Sequence, residues 1–404
     1  MLKLLKEQKI TIFGEGITAK AVNQKLQEFS EFKIVKPEDQ PCFGVISPGL
    51  NPKRYIHYNY PLISEIELAF LLFKYIGKLP QIIAVTGTNG KTTTTSLIAH
   101  LLDIPSGGNI GECFINFVHK KKSKIAKSLV LELSSYQIEM SPTFIPDIFV
   151  LLNITEDHLE RHGSMQEYSK IKCSLINRLS KDQYYIYNGN DTNAAIHLSS
   201  CTNLAAQQIN FQKSNFSKEL VQSQLIGNHN KENLLAALTV AKIVKPRQNF
   251  AKKVKLFKNI AHRLEVVGRF KGIIFINDSK ATNPLSTIAA IKSFNVDSKI
   301  ILMLGGQKKF APYDELFSLI SERQIPVVSF GQDRYFFTNG LKNMTPIVGE
   351  AKSLQEAVHI ACKKGSDNTT VLFSPAGSSF DAYKNFEERG NDFREIISKI
   401  STNQ

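Results

Sequence analysis

The sequence contains no C-x-x-C pair, and its five cysteines are scattered and odd in number. This spacing excludes a zinc knuckle and a disulfide framework, and it favours reduced thiols in a cytosol. No apolar run reaches membrane-spanning length, and the N-terminus lacks an apolar stretch followed by a small-residue cleavage site. We therefore expect a soluble, cytoplasmic protein without stable membrane insertion.

The two densest basic runs, residues 119–124 and 252–255, lack the interleaved aromatic residues of a base-stacking surface. The 50 Lys and Arg residues exceed the 36 Asp and Glu residues, and the net charge of +14 favours anionic partners. We interpret both runs as solvated faces, with an anion-binding patch as the less favoured alternative. We expect small-molecule substrates rather than nucleic acid, and a monomer.

The remaining features predict an α/β protein. A chain of 404 residues with 42% hydrophobic content can bury a core divided among two or three domains. Short runs rich in Ile, Val and Phe are each followed by a Gly-rich or polar turn and a segment of helical period, which predicts β-α-β units around parallel sheets. Turn residues at 77–81 and a new strand-forming run near 259–267 predict three domains, residues 1–79, 80–260 and 261–404.

The segment T-G-T-N-G-K-T-T, from Thr86 to Thr93, joins a strand-forming run to a helix-compatible segment. At such a junction, backbone N–H groups and a helix N-terminus face a bound anion, Lys91 can reach the outer phosphates, and Thr92 can bind Mg²⁺. The first glycine of the full P-loop pattern is replaced by Val85, so the loop is a shorter variant. We predict ATP as its ligand; the alternative is an ordinary tight turn.

Two further segments supply candidate metal ligands. A P-loop needs a carboxylate on a neighbouring strand, and Glu132 lies at the end of the buried run 129–131, although alone it could be a surface residue at a strand tip. Another strand-forming run, 147–152, leads into an acidic loop that contains His158. Because ligands bind at the carboxyl ends of parallel strands, His158 is a candidate ligand, with a structural histidine as the alternative.

The N-terminal segment T-I-F-G-E-G-I-T-A has the spacing Gly14-x-Gly16-x-x-Ala19 of a dinucleotide-binding turn. The acidic ribose partner expected after the second strand is missing, because Lys36 follows the run 32–35. This absence counts against NAD as the ligand.

A series of motifs covers most of the chain in a fixed order: GTNGKTT at 87–93, GGNIG at 107–111, LELSSYQIE at 131–139, NITEDHLERHG at 153–163, GNHNKENLLAA at 227–237, HRLE at 262–265, NDSKATNP at 277–284, LGG at 304–306 and SPAGSSFDAYKNFEERG at 374–390. Each motif is weak alone, but the ordered set resembles the Mur ligase family of peptidoglycan precursor synthesis. The resemblance implies an α/β fold of three domains: a Rossmann-like N-terminal UDP-binding domain, a central P-loop ATPase-like parallel-sheet domain and a C-terminal Rossmann-like α/β domain.

The resemblance also implies the reaction. In the family, the γ-phosphate of ATP passes to a substrate carboxylate, and an incoming amine displaces the phosphate from this acyl phosphate to form an amide. The match to the D-glutamate-adding branch implies ligation of D-glutamate to UDP-N-acetylmuramoyl-L-alanine, with Mg²⁺ at two sites. Another amino-acid-adding ligase of the superfamily, such as a folylpolyglutamate synthetase, is the alternative enzyme. A nucleotide-gated binding protein or nucleic-acid motor is the alternative from another class, which the lack of a basic-groove motif disfavours.

The family pattern assigns residues to each site. For ATP they are Gly87, Thr88, Asn89, Gly90, Lys91, Thr92, Thr93, Asn230, Asn233, Arg263, Asp278 and Lys280. For catalysis and the metal ions they are Lys91, Thr92, Glu132, His158 and Lys172. For the UDP-sugar they are Glu15, Ile17, Thr18, Ser47, Pro48, Gly49, Asn109 and Ser134. For D-glutamate they are Thr282, Lys309, Ser379, Phe380 and Phe386.

Lys172 is implied to be carbamylated, because a carbamate presents oxygens to Mg²⁺ and a free amine does not. Carbamylation requires a pKa lowered from about 10.4. Lys172 follows Tyr168 by four residues, as the family pattern requires; the alternatives are Lys170 and a solvated lysine.

Other assignments also leave alternatives. Asn230 and Asn233 lie three apart and so face one way on a helix, but they could instead be helix caps. Lys308 competes with Lys309 for the substrate carboxylate, and Phe380 stands where the family has leucine.

Overall fold

The computed structural model describes residues 9–29, 31–157, 159–193, 205–223, 225, 227–257 and 260–402. The strands are β1 Lys9–Phe13, β2 Lys33–Ile34, β3 Phe43–Ile46, β4 Leu62–Ile63, β5 Gln81–Thr86, β6 Ser106–Gly108, β7 Ser128–Glu132, β8 Ile148–Leu151, β9 Tyr184–Tyr187, β10 Gln207–Asn210, β11 Glu265–Phe270, β12 Ile273–Asn277, β13 Ile300–Gly305, β14 Gln307–Lys308, β15 Val327–Phe330, β16 Ile347–Ala351 and β17 Thr370–Ser378. The α-helices are α1 Ile17–Gln27, α2 Glu65–Ile76, α3 Lys91–Leu102, α4 Ser135–Glu139, α5 Leu159–His162, α6 Met165–Cys173, α7 Ser217–Leu220, α8 Asn228–Val244, α9 Ala251–Leu256, α10 Pro284–Lys292, α11 Asp314–Glu322, α12 Arg334–Leu341, α13 Leu354–Lys364 and α14 Phe386–Thr402.

Over the described residues, the strands form three sheets, one each in the N-terminal, central and C-terminal parts of the chain. The first has the order β2-β1-β3-β4 and the second the order β10-β9-β8-β5-β7-β6, and the strands of both are parallel. The third has the order β11-β12-β17-β13-β15-β16, in which β11 is antiparallel to β12 and β14 pairs antiparallel with β17. The predicted α/β class, with N-terminal, central and C-terminal domains, is confirmed. Among the described helices, none has the length and apolar character of a membrane span.

Contacts divide the chain into two compact units, one holding the first two sheets and the other holding the third. Within the first unit, one apolar core joins residues of both sheets. Helix α2 is central to this core, and its residues from Glu65 to Phe73 are all buried. Its first turn is capped by Ser64, whose hydroxyl accepts a hydrogen bond from the Glu67 N–H.

Two carboxyl groups are buried with α2. Glu67 accepts hydrogen bonds from the backbone N–H groups of Thr143 and Phe144, both at 3.0 Å. Glu65 accepts one from the backbone N–H of Ile115 at 2.5 Å. Burial raises the pKa of Glu65 to about 7, and the Ile115 bond opposes this shift only in part. Glu65 is therefore neutral in the folded chain at pH 6.

This raised pKa predicts a stability that falls with pH. Between pH 4.5 and 7 the folded chain holds a proton on Glu65 that the unfolded chain releases, so stability drops across that window by about 3 kcal/mol and then levels off. Glu65→Gln keeps an acceptor for Ile115 and carries no charge. We expect its urea midpoint, relative to that of the unaltered protein, to be higher at pH 8 than at pH 5. Glu167→Gln, at an exposed carboxyl, is the control, and a pH-independent difference for Glu65→Gln would contradict the prediction.

Candidate active site

The P-loop lies where the sequence predicts it, between β5 and α3. Strand β5 is central in its sheet, with β7 and β8 on either side. The carboxyl ends of β5, β7 and β8 therefore meet at one edge. The Lys91 ammonium folds back over the loop and donates to Gly87 O at 2.9 Å and to Thr88 O at 2.7 Å.

Gly90 fixes the shape of this loop. Its φ of +81° lies in the left-handed region, and a Cβ placed on it would lie 2.2 Å from Asn233 Oδ1. Asn233 also accepts a hydrogen bond from Thr94 Oγ1 at 3.3 Å and donates to Asn230 Oδ1 at 3.1 Å. The two asparagines thus face the same way, as predicted, and Asn233 lies against the P-loop.

Glu132, at the end of β7, is buried and holds two neighbours with its two oxygens. Thr92 Oγ1 donates to Oε2 at 2.8 Å, and Asn109 Nδ2 donates to Oε1 at 2.8 Å. The predicted carboxylate on a strand beside the P-loop is therefore in contact with the predicted Mg²⁺-binding hydroxyl.

Asn153 follows β8 and is hydrogen-bonded to the P-loop. Its side chain accepts from the Asn89 N–H at 2.8 Å and donates to Asn89 O at 3.1 Å, while its carbonyl accepts from the Thr88 N–H at 3.0 Å. The Thr88 hydroxyl donates to Thr155 O at 3.0 Å. His158, the predicted metal ligand five residues further on, lies outside the described residues.

Lys172 is buried beside the same loop. Its amine donates to Gly87 O at 2.9 Å, the carbonyl that also accepts from Lys91, and lies 4.8 Å from the centre of the Tyr168 ring. Burial, and then the charge of Lys91, hold the pKa of Lys172 well below its usual value. This shift favours the neutral amine that carbamylation requires. Lys170, by contrast, is exposed beside Glu167.

Sequence profiles of two domain families match the chain: "Mur ligase middle domain" over residues 85–241 and "Mur ligase, glutamate ligase domain" over residues 262–377. The UDP-N-acetylmuramoylalanine–D-glutamate ligase of Leptospira interrogans is 34% identical in aligned segments that cover 90% of this chain and 87% of that protein. This chain belongs to the Mur ligase family.

Two further comparisons cover nearly the whole of this Mur ligase. The UDP-N-acetylmuramoylalanine–D-glutamate ligase of Rickettsia prowazekii is 32% identical, with 98% of each chain covered. The crystal structure of MurF ligase from Thermotoga maritima in complex with ADP has a TM-score of 0.61, 15% identity and complete coverage of both chains, which shows a shared fold. The family resemblance inferred from the sequence is confirmed.

In the N-terminal part of this Mur ligase, two of the predicted UDP-sugar segments lie side by side. Gly14 has a φ of +116°, and a Cβ on it would lie 2.4 Å from Ser47 Oγ. Glu15 and Ile17 are exposed near the start of α1. Pro48 and Gly49 continue the turn after Ser47.

The other three predicted UDP-sugar residues have protein partners, and that of Asn109 is Glu132. The Thr18 side chain hydrogen-bonds the Cys113 thiol. Ser134 caps α4 by accepting from the Gln137 N–H at 3.2 Å, while Gln137 Oε1 accepts from the Ser134 N–H at 3.0 Å. A capping role therefore accounts for Ser134 in this structure.

In the second unit, Asp278 lies buried after β12. Its carboxylate accepts from the Leu264 N–H at 3.3 Å and from Ser374 Oγ at 2.7 Å. Burial raises the pKa of Asp278 to about 7, against the lowering effects of the Ser374 and Leu264 bonds and of the Arg263 charge. Arg263 and Asp278, two predicted nucleotide ligands, are thus close enough to interact.

Two of the predicted D-glutamate residues, Thr282 and Phe386, contact Lys280, which is itself a predicted ATP residue. The Lys280 ammonium lies 3.8 Å from the centre of the Phe386 ring, and the Thr282 N–H donates to Lys280 O at 2.8 Å. Ser379 is buried, whereas the side chain of its neighbour Phe380 is 69% exposed.

The structure distinguishes the environments of the two competing lysines. The Lys308 ammonium lies 4.5 Å from the centre of the Phe336 ring. Lys309 is exposed, and its backbone N–H donates to Tyr313 Oη at 3.0 Å. Tyr313 in turn donates to Ala376 O at 2.9 Å, which ties this loop to β17.

Two supporting cations were missed from the sequence. Arg389, in the last motif, is fully buried and donates to Ser279 Oγ at 3.0 Å, Ser279 O at 2.8 Å and Gly377 O at 3.0 Å, so it joins the segments that follow β12 to β17. Lys253, in the second basic run, donates to Leu101 O at 2.9 Å at the C-terminal end of α3. For Lys253 the interpretation as a solvated face is wrong, because the ammonium caps the helix that begins at the P-loop.

Proposed function

We propose that this Mur ligase joins D-glutamate to UDP-N-acetylmuramoyl-L-alanine in an ATP-dependent reaction of peptidoglycan precursor synthesis, in the cytoplasm and as a monomer. The observation that carries the proposal is the arrangement around the P-loop, where Lys91 and Lys172 donate to the same carbonyl, Gly87 O, and Thr92 donates to Glu132. The choice of substrates is supported by relatives named UDP-N-acetylmuramoylalanine–D-glutamate ligase that are 32–34% identical over most of the chain.

The loop fits a nucleoside triphosphate and Mg²⁺. Gly90 leaves no room for a side chain and gives the short turn its close backbone approach, which a phosphate cradle needs. Thr92 and Glu132 already touch and present oxygen donors, the ligands that Mg²⁺ prefers. When bound, Mg²⁺ neutralises charge on the transferring phosphoryl group. The Lys91 ammonium would exchange its two carbonyl partners for phosphate oxygens.

Lys172 would supply further oxygen ligands as a carbamate. Its neutral amine attacks the carbon of CO₂, an N–C bond forms, and the nitrogen releases a proton to solvent. The product is an anion with two oxygens beside Glu132 and the P-loop. Together with His158, it would complete the second of two Mg²⁺ sites.

The substrate carboxylate takes the γ-phosphate and becomes an acyl phosphate, and ADP leaves. The amine of D-glutamate attacks the acyl carbon, and the tetrahedral adduct collapses to an amide and phosphate. We assign the D-glutamate carboxylate to Lys309, because the Lys308 ammonium is already engaged over Phe336. Domains at 1–79, 80–260 and 261–404 would bind UDP, ATP and D-glutamate respectively.

A single-turnover assay with the purified protein tests this function. We expect phosphate release to require ATP, Mg²⁺, UDP-N-acetylmuramoyl-L-alanine and D-glutamate together, with one amide product formed per phosphate. Release that instead follows tetrahydrofolate and L-glutamate, or another amino acid, would assign the chain to a different ligase of the superfamily. Salt-sensitive binding to nucleic acid without any amide product would overturn the assignment to this enzyme class.

A further inference from the structure

Residues 51–60, between β3 and β4, form an aromatic segment that we call the aromatic cap. It contains three tyrosines and a histidine within six residues. The ring of Tyr55 lies 4.6 Å from that of Phe13, the last residue of β1, and the ring of Tyr58 lies 5.6 Å from it. The centres of the Tyr58 and His57 rings are 4.1 Å apart.

The aromatic cap reaches across three strands of the first sheet. It begins after β3, lies on Phe13 at the end of β1, and its Tyr60 hydroxyl donates to Pro37 O, after β2, at 3.4 Å. These strands are adjacent and parallel in the order β2-β1-β3. The aromatic cap thus lies at the carboxyl ends of the strands, where α/β sheets bind ligands.

Polar features beside the aromatic cap suit a diphosphate. Gly14 and Ser47 meet at the turns after β1 and β3. Ser47 Oγ is buried and has no hydrogen-bond partner among the described residues. Such a buried hydroxyl is costly unless a ligand completes its bonding. Lys53 and Arg54, both exposed, add positive charge within the aromatic cap itself.

The usual ribose contact of a dinucleotide-binding turn is missing here. An acidic residue after the second strand would bind a ribose, but Val35 and Lys36 follow β2. Recognition of the base is a separate matter, and the aromatic cap is the element at this edge that can offer ring faces to it. Tyr60 is bonded to Pro37, and Tyr58 lies among Phe13, His57 and Tyr60.

We propose that Tyr55 of the aromatic cap stacks on the pyrimidine base of the substrate's uridine diphosphate and so selects this nucleotide. Tyr55 is half-buried, and among the described residues its one ring contact is with Phe13, so a ring face remains for a ligand. The inference rests on the proposed function, because it names the residue that recognises the base of that substrate. Loss of a stacking ring weakens nucleotide binding by an amount that calorimetry detects.

Binding of two nucleotides tests the stacking. The probes are UDP and 5,6-dihydrouridine diphosphate, whose saturated base cannot stack, each titrated with ADP present to fill the P-loop. We expect the unaltered protein to prefer UDP, and Tyr55→Leu to bind UDP about 5- to 100-fold more weakly and to lose that preference. A tyrosine that only packs on Phe13 would weaken both probes equally, which overturns the inference, as does unchanged UDP binding.

A matched variant and a wild-type experiment complete the design. Tyr75, like Tyr55, contacts a phenylalanine, with its ring 5.8 Å from that of Phe32, and Tyr75→Leu should leave UDP binding unchanged. Photolysis of 5-iodouridine diphosphate on the unaltered protein should cross-link within residues 51–60. A cross-link elsewhere overturns the role of Tyr55 while leaving the ligase function intact. Failure of the unaltered protein to bind either UDP or the muramoyl nucleotide would instead overturn the proposed function.

Discussion

Lys172→Ala should lower the rate of amide formation by about 10²- to 10³-fold, because it removes the group proposed to supply carbamate oxygens to Mg²⁺. Short carboxylates such as formate or acetate should restore part of this rate, since they can place two oxygens in the space that the side chain leaves. The measurement is phosphate release at saturating substrates, with and without added carboxylate. Circular dichroism at the same concentrations checks that the variant is folded.

The matched control is Lys170→Ala, two residues earlier on α6. The Lys170 side chain is 73% exposed, and its nearest acidic partner is Glu167 at 3.7 Å. We expect its rate to stay within about twofold of the unaltered protein, because an exposed ion pair contributes little. Full activity of Lys172→Ala without added carboxylate would refute the carbamate assignment.

Gly90→Ala should lower kcat/KM for ATP by about 10²-fold. The new Cβ would lie 2.2 Å from Asn233 Oδ1, and the φ of +81° disfavours any residue with a Cβ. Either the loop or Asn233 must move, and a displacement of about 1 Å near the reacting groups is costly for catalysis. Steady-state kinetics with varied ATP provide the test.

Gly77→Ala separates the steric effect from backbone strain. Gly77 ends α2 with a φ of +73°, and its nearest neighbour would be the flexible end of Lys122 at 3.4 Å. The same left-handed penalty of about 1 kcal/mol applies, but we expect no change in kcat/KM for ATP. Equal kinetic losses in both variants would contradict the assignment of Gly90 to the phosphate cradle.

The proximity of residues around the P-loop could be predicted from the sequence because it depends on local features. A strand, a Gly-rich turn and a helix occupy consecutive residues around Lys91, and the parallel order of β7, β5 and β8 brings Glu132 and Asn153 to the same edge. The spacing of Asn230 and Asn233 likewise fixes their common face, since helical geometry decides it.

Other contacts depend on residues far apart in the chain, and no local pattern reveals them. Lys253 binds the carbonyl of Leu101 from 152 positions away. The environments of Lys308 and Lys309 differ in part because α12 brings Phe336 beside Lys308. A glutamate is usually exposed to solvent, yet the packing of α2 leaves Glu65 buried.

Helix α2 limits where the chain can be divided. Phe70 packs against Phe144 at 5.3 Å and Phe73 against Phe114 at 5.4 Å, so the helix shares its apolar faces with residues well beyond the boundary at 79. A fragment that ends at residue 79 would expose the apolar faces of α2. The rest of the chain would expose the apolar residues that pack against α2. A chimaera that exchanges residues 1–79 between relatives must therefore also exchange the residues that pack around Phe114 and Phe144.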